Sequence, residues 1–380
     1  MDLPFLVLVL TLVAFGLVML CSASSAVALY RRQDAFAYVR PQLLYAAMGT
    51  GFTCLATVLG AAMAPVWFVA VAKVRRHVPQ EKLPLLGIAA ALSFLGMMFN
   101  VPLPGGTTGH AVGGTLIAIL FGPYAACLSV SVALLIQALF FGDGGILALG
   151  ANCFNMAFVL PFTGYAVYQL ARRHLKSPSG EYIAAGLGAY AGINAAALVA
   201  AIEFGVQPLL FMDAAGQALY CPYPRWISVP AMMVGHLTIF GLAEVVFTTA
   251  VLAYLRKTSP DLFQSVRVKT NRALYGLVAA LIVCTPLGLL AAGTAWGEWD
   301  PEELADQDFL GTALGYTPAG MEHGFSFEAL FPDYAIAGLP DAFGYILSAL
   351  IGTALLVILF KMAAPLFASH TDYGDSLSGR

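Results

Sequence analysis

The chain has 380 residues, of which 60% are hydrophobic and only 10% are charged, and its mean hydropathy is +0.82. Soluble domains carry roughly 25% charged residues, so this composition excludes a soluble globular protein. The net charge of −3 excludes nucleic acid as the expected partner, because nucleic-acid-binding domains are strongly basic. Apolar runs of about 20 residues have the length of transmembrane helices rather than of barrel strands. The sequence therefore predicts an all-α, polytopic helical membrane bundle in contact with membrane lipid.

The apolar runs predict about eight to ten transmembrane helices. In chain order, the candidate spans are residues 3–30, 43–74, 85–101, 111–121, 124–141, 146–170, 182–204, 227–255, 274–292 and 343–362. Glycines and Pro65 interrupt the second run, which is either one crossing or two shorter ones. The run at 111–121 is short for a crossing. One crossing with a re-entrant hairpin is therefore the alternative to three crossings between residues 111 and 170.

Charge predicts which ends of the spans face the cytoplasm. Lysine and arginine cluster in three loops, at residues 73–82, 172–176 and 256–272. Short cytoplasmic loops are rich in these residues, so we place the three loops inside. No lysine or arginine occurs between Arg272 and Lys361, where Asp and Glu recur, so the loop at 296–341 is predicted outside. Counting spans from these loops places His110 and Asp143 together on the outer side.

Two glycine-rich hinges interrupt the apolar region between residues 100 and 155. The first is Gly105-Gly106-Thr107-Thr108-Gly109-His110, and the second is Gly142-Asp143-Gly144-Gly145. Irregular polar backbone at membrane depth persists only where it is buried in protein or lines a cavity, and an ionisable residue there indicates a functional site. Imidazole is a ligand of first-row transition metals. His110 is therefore a candidate metal ligand, and the alternative is a hydrogen-bonded histidine that caps the hinge.

A first-row divalent metal needs about four donors, so His110 requires further residues. Candidate substitute donors or supporting residues are Asn100, Thr107, Thr108, Asp143, Asn152, Asn155, His236 and Glu244. Asn152 and Asn155 share a helix face, and hydrogen bonding between helices is their alternative role. For His236 the alternative is a hydrogen bond to a backbone carbonyl or to Glu244, which lies roughly on the same helix face.

The sequence contains no constellation typical of an enzyme. It has no G-x-S-x-G, H-E-x-x-H or P-loop motif, so an ATP-driven role would need an ATPase on another chain. The six cysteines are scattered and form no C-x-x-C pair, which favours small buried hydrophobes over a thiolate metal site.

Several segments in order resemble the cobalt/nickel substrate-capture component of energy-coupling-factor transporters, the CbiM/NikM family. They are KLPLLGIAAALSFLGMMFNVPLPGGTTGH (82–110), LFGPYAACLSVSVALLIQALFFGDGGILALGANCFNM (120–156), IEFGVQP (202–208) and YPRWISVPAMMVGHLTIFGLAEVVFT (223–248). TPLGLLAAGTAWGEW (285–299) and PDYAIAGLP (332–340), with the last span, resemble a fused accessory (CbiN/PDGLE-like) domain. Residues 2–50 resemble the first span of the SEDS cell-division and rod-shape family.

These resemblances imply a division of the chain. It comprises an extra SEDS-like N-terminal membrane segment (1–62), a metal-capture bundle (63–258), a cytoplasmic basic linker (259–272), an accessory domain with an acidic outer loop (273–364) and a disordered tail (365–380).

The resemblance implies a multi-pass protein of the cell (inner) membrane that binds Co²⁺ or Ni²⁺, with cobalt feeding cobalamin synthesis. The metal is then the transported substrate, and no cofactor is bound permanently. The implied partners are a transmembrane coupling protein and a pair of ATPases on separate chains.

In that family the histidine of the G-T-[ST]-G-H motif, here His110, is one metal ligand, and a Met-His start supplies three donors. This sequence contains no Met-His pair. The alternatives are therefore a metal-site-defective homologue or fusion product, or a SEDS-like lipid-linked cell-wall polymerase or carrier.

Overall fold

The computed structural model describes residues 39–79, 82–103, 107–213, 215–264, 272–291, 295–298, 314–322 and 327–367. Much of the predicted N-terminal segment and of the tail lies outside these residues, as do parts of the linker and of the acidic loop. Within the described residues, the protein is a helical bundle with one two-stranded sheet, which confirms the all-α class.

The helices follow the apolar runs closely. They are α1 (Val39–His77), α2 (Leu83–Met97), α3 (Gly114–Phe121), α4 (Pro123–Ile136), α5 (Leu149–Asn152), α6 (Leu160–His174), α7 (Pro178–Leu210), α8 (Arg225–Gly235), α9 (Gly241–Thr258), α10 (Asp261–Gln264), α11 (Arg272–Cys284), α12 (Ala319–Glu322) and α13 (Asp341–Ala363). Stretches of π-helix continue α4 (Gln137–Phe141), join α5 to α6 (Cys153–Val159) and join α8 to α9 (His236–Phe240). Turns of 3₁₀ helix cover Thr285–Leu290, Pro332–Tyr334 and Ala364–Phe367.

Six helical segments in the described part of the chain are long and apolar enough to cross a membrane. They are Val58–His77, Pro123–Phe141, Pro178–Leu210, Arg225–Thr258, Arg272–Leu290 and Asp341–Ala363. The apolar helix α2 is shorter, with 15 residues. The protein is therefore a multi-pass membrane protein, and the described residues contain fewer long spans than the eight to ten predicted.

Two ambiguous runs of the sequence take definite forms. The run at 43–74 is one continuous helix, α1, with Pro65 in its interior. Interior proline and glycine are tolerated in membrane helices because neighbouring groups satisfy the freed backbone atoms. The run at 111–121 forms α3, whose eight residues rise only about 12 Å. Because a bilayer core is about 30 Å thick, this length favours the re-entrant alternative over a full crossing.

The basic loops and the two hinges lie at opposite ends of the bundle. Lys82 precedes α2, and its ammonium donates to the carbonyl of Leu262 at 3.3 Å. Arg256 pairs with Glu181 at the start of α7. His110 follows the other end of α2, about 22 Å away along its 15 residues.

The last helix, α13, packs against the centrally buried helix α2. An added Cβ at Gly87 of α2 would lie 2.9 Å from the Cβ of Phe360 and 3.1 Å from the Cα of Val357. The buried ring of Phe94 occupies the space that a side chain at Gly352 would need. Small residues let membrane helices approach this closely, so α13 belongs to the same core as α2.

We expect Gly87→Ala to destabilise the protein by about 1–3 kcal/mol, because the added methyl group must push α13 away from α2. Thermal unfolding of the purified protein in detergent measures the effect. The matched control is Gly276→Ala in α11, where an added Cβ meets none of the described atoms within 4 Å. Equal melting temperatures for the two variants would contradict the close α2–α13 packing.

Candidate metal-binding site

The first hinge is a β-hairpin that leads directly into His110. Strands β1 (Val101–Leu103) and β2 (Thr107–Gly109) pair antiparallel, and the residues between them lie outside the described part of the chain. Gly113 then takes a left-handed conformation, φ +71°, which turns the chain into α3. A residue with a Cβ is strained at that angle, so the glycine fixes where the segment from His110 enters the bundle.

A buried carboxylate holds the backbone just after His110. Glu244 of α9 has no exposed surface, and it accepts hydrogen bonds from the backbone N–H of Val112 at 2.7 Å and of Gly113 at 3.0 Å. Burial of a carboxylate is costly unless such bonds compensate it. The π-helical stretch from His236 alters the register between the two residues, and His236 Nδ1 lies 2.8 Å from the carbonyl oxygen of Met232 instead.

Six of the predicted residues line one cavity of about 150 Å³. They are Thr107, Thr108, His110, Asn152, Asn155 and His236. His110 Nδ1 is buried there without a hydrogen-bond partner in the described part of the chain, which is a rare state for a buried polar atom. Burial lowers the pKa of His110, although the charge of Asp143 opposes this shift. The ring is therefore neutral at neutral pH, which is the form that binds metals.

The other predicted residues do not line this cavity. Glu244 faces the backbone of Val112 and Gly113, as described above. Asn100 is half-buried just before β1, where Gly288 packs close to its backbone.

Asp143 of the second hinge is held by a buried tyrosine from the C-terminal region. Gln137 Nε2 donates to the Asp143 carboxylate at 2.8 Å and to the Tyr334 hydroxyl oxygen at 2.9 Å, and the Tyr334 hydroxyl donates to the same carboxylate. The Tyr334 ring stacks on Phe141 with centroids 4.8 Å apart. Burial and the charge of Asp143 raise the pKa of Tyr334 well above its usual range, so the hydroxyl stays protonated and donates.

Three residues that face these hinges were not among the predicted ligands. Glu203 accepts a hydrogen bond from Asn155 Nδ2 at 2.8 Å, and Glu298 lines the cavity that contains His110. The sequence could have indicated Glu203 as a candidate site residue, because it is an ionisable residue inside an apolar span. Glu298 and Tyr334 gave none, since Tyr334 lies 191 positions from Asp143 along the chain.

The described residues contain no group of three or more His, Cys, Asp or Glu side chains that could hold a metal. Cys127, Cys153 and Cys221 are free and buried, and Cys284 is free and exposed. The cavity that contains His110 is lined by imidazole, amide, hydroxyl and carboxylate groups and by none of these cysteines.

Residues 48–262 match the family described as the cobalt uptake substrate-specific transmembrane region, CbiM. The chain belongs to the CbiM family. Residues 270–369 match the PDGLE domain, so this CbiM chain carries a second matched region behind the first.

Relatives of this CbiM chain are transport proteins. It is 52% identical over 303 residues to a probable fused nickel transport protein, LarMN, of Lactiplantibacillus plantarum, with 79% of this chain and 91% of the relative covered. It is 48% identical over 332 residues to a fused nickel transport protein, NikMN, of Rhodobacter capsulatus, with 83% and 95% covered. These relationships support a transport component rather than an enzyme.

A crystal structure of a truncated transition metal transporter is also similar. It is 51% identical, with a TM-score of 0.51, and the match covers 55% of this chain and 96% of that one. The similarity therefore concerns about half of the CbiM chain but nearly all of the solved transporter.

We expect Glu244→Gln to destabilise the CbiM chain by about 1–3 kcal/mol, because an amide NH₂ would face backbone N–H donors at a fully buried position. The control is Glu181→Gln, which removes a partly exposed ion pair worth less than about 1 kcal/mol. Thermal unfolding in detergent compares them. A larger loss of stability in Glu181→Gln than in Glu244→Gln would contradict a stabilising role for the hydrogen bonds from Val112 and Gly113 to Glu244.

We expect Tyr334→Phe to cost about 1–3 kcal/mol, because it removes a buried donor to Asp143 and an acceptor for Gln137. Tyr190→Phe is the control, since its hydroxyl bonds only a backbone carbonyl at 2.8 Å in an exposed setting. The same unfolding measurement applies. Indistinguishable variants would show that the Tyr334 hydroxyl does not hold the second hinge.

Proposed function

We propose that this protein is the substrate-binding membrane component of an ATP-driven uptake transporter for Co²⁺ or Ni²⁺, with His110 as a metal ligand. The observation that carries the proposal is the unpartnered Nδ1 of His110, buried in the wall of a cavity at the end of the bundle opposite the basic loops. A metal ion is the natural complement of a buried, neutral imidazole nitrogen.

The composition of the cavity suits these ions. His110 and His236 both line it, and imidazole favours nickel and cobalt over the harder magnesium and calcium. Thr107, Thr108 and Asn155 supply hydroxyl and amide oxygens at the same wall. Because the described residues hold no larger cluster of charged donors, we propose that cavity oxygens and water complete the coordination shell.

We propose that the partners are a coupling protein in the membrane and a pair of ATPases on separate chains. The chain has no nucleotide-binding motif of its own, so the energy for release must come from elsewhere. The basic end of the bundle, which includes Lys82 and Arg256, faces the cytoplasm and is the surface available to such partners. Cobalt imported in this way would supply cobalamin synthesis.

We also propose the functional division of the chain that the sequence predicts. Residues 63–258 form the capture unit, residues 259–272 a linker, and residues 273–364 the accessory unit. Helix α1 runs without a break across position 62, so the end of the segment at 1–62 is structurally continuous with the capture unit.

Two observations favour a second candidate, a homologue that retains the bundle but no longer binds metal. The described residues lack a group of three or more charged or thiol donors, and the sequence lacks a Met-His pair. Uptake by the unmodified protein separates the two candidates.

We expect His110→Ala to reduce radioactive cobalt and nickel uptake to background in cells that also express the coupling protein and ATPases. The matched control is His174→Ala, an exposed histidine at the basic end of the bundle, which should keep normal uptake. Normal uptake by the His110 variant would refute the ligand assignment. Absence of uptake by the unmodified chain would instead support the metal-site-defective homologue.

A further inference from the structure

A second cavity of about 200 Å³ adjoins the one that contains His110. The two cavities share the wall residues Asn152, Asn155, Ala200, Phe204 and Glu298. Glu203 and Gln207 of α7 line the second cavity on one side, and Leu55 of α1 lines it on another. The second cavity therefore borders the proposed metal site, and three of the five shared residues are polar.

Asn155 and Glu203 face this space with unsatisfied acceptors. Asn155 is only 5% exposed, and its Nδ2 donates to Glu203 Oε2 at 2.8 Å. That bond leaves Asn155 Oδ1 and Glu203 Oε1 buried, and neither atom has a hydrogen-bond partner among the described residues. Both unpaired atoms are oxygen acceptors, so the missing complement is a cation or a hydrogen-bond donor.

The described lining of the two cavities contains no lysine or arginine that could serve as this complement. Glu298, from the accessory region, lines both cavities and is exposed. It adds a third oxygen-bearing side chain where the cavities meet. Ionisable residues placed in a membrane span mark ion pathways by default.

We propose that Glu203, Asn155 and Glu298 form an oxygen-donor site that holds the transported divalent cation briefly before it reaches His110, an inference that rests on the proposed function. Carboxylate and amide oxygens bind nickel and cobalt less tightly than imidazole does. A transport path needs sites that bind well enough to admit an ion and weakly enough to release it. Glu298 is the most solvent-exposed of the three residues, and Asn155 lines both the second cavity and the cavity that contains the imidazoles.

The test measures Mn²⁺ binding to the purified full-length protein by electron paramagnetic resonance, because Mn²⁺ prefers oxygen ligands. We expect Glu203→Gln, which keeps the side-chain shape but removes the charge, to weaken Mn²⁺ binding by about tenfold, or 1.4 kcal/mol. His110→Ala is measured in parallel and should weaken Mn²⁺ binding less than Glu203→Gln does, because its imidazole lies in the adjoining cavity. Glu181→Gln, at the basic end, is the matched control and should also bind normally.

Uptake kinetics give the second readout. In cells with the complete transporter, Glu203→Gln should raise the KM for cobalt by about tenfold while the maximal rate changes little. Glu298→Gln should shift KM in the same direction, and its exposed loop position keeps the test valid if the Glu203 variant fails to fold.

Equal Mn²⁺ binding by the unmodified protein, by Glu203→Gln and by Glu298→Gln would overturn the inference and indicate a water-filled cavity. A larger loss of Mn²⁺ binding in His110→Ala than in Glu203→Gln would overturn it as well, because the histidine site would then account for the Mn²⁺ binding. Normal uptake by the His110 variant contradicts the proposed function instead, while the Mn²⁺ comparison still reports on Glu203 directly.

Discussion

The buried carboxylate of Glu244 is the constraint on which the candidate site depends. It satisfies the backbone N–H groups of Val112 and Gly113, and these bonds offset the cost of removing a carboxylate from water. Gly113, in a left-handed conformation, directly precedes α3. The bonds to Glu244 therefore position the backbone between His110 and this short helix. On the proposed function, His110 positioned in this way needs little rearrangement to receive a metal ion, and such preorganisation favours tight binding.

The C-terminal region packs against the region that matches the CbiM family. Tyr334 holds Asp143 of the second hinge, and the backbone of Ala295 forms a parallel bridge to Thr108 of the first hinge. Trp296 packs edge-on against Phe204, with ring centroids 5.6 Å apart. Both hinges are thus braced by residues from the region that matches the PDGLE domain. Ala295, Trp296 and Glu298 of that region also line the cavity that contains His110.

The polar groups of the two cavities differ in chemical character. The imidazoles of His110 and His236 line one cavity only, Glu203 lines the other only, and Asn155 and Glu298 line both. Carboxylate and amide oxygens bind nickel and cobalt less tightly than imidazole does. In the proposed oxygen-donor site, the transported ion is the partner of Asn155 Oδ1 and Glu203 Oε1, two buried acceptors that otherwise carry a desolvation cost.

The sequence by itself determined the helical membrane class, the two hinges and the family resemblance carried by the segment ending at His110, because composition, hydropathy and short motifs are local properties. Only the tertiary structure decided which side chains surround the hinges. With a π-helical stretch between His236 and Glu244, the Glu244 carboxylate accepts hydrogen bonds from the backbone after His110 and not from His236. Tyr334 donates a hydrogen bond to Asp143, which lies 191 positions away in the sequence. Such pairings depend on helix register and long-range packing, which no local pattern in the chain encodes.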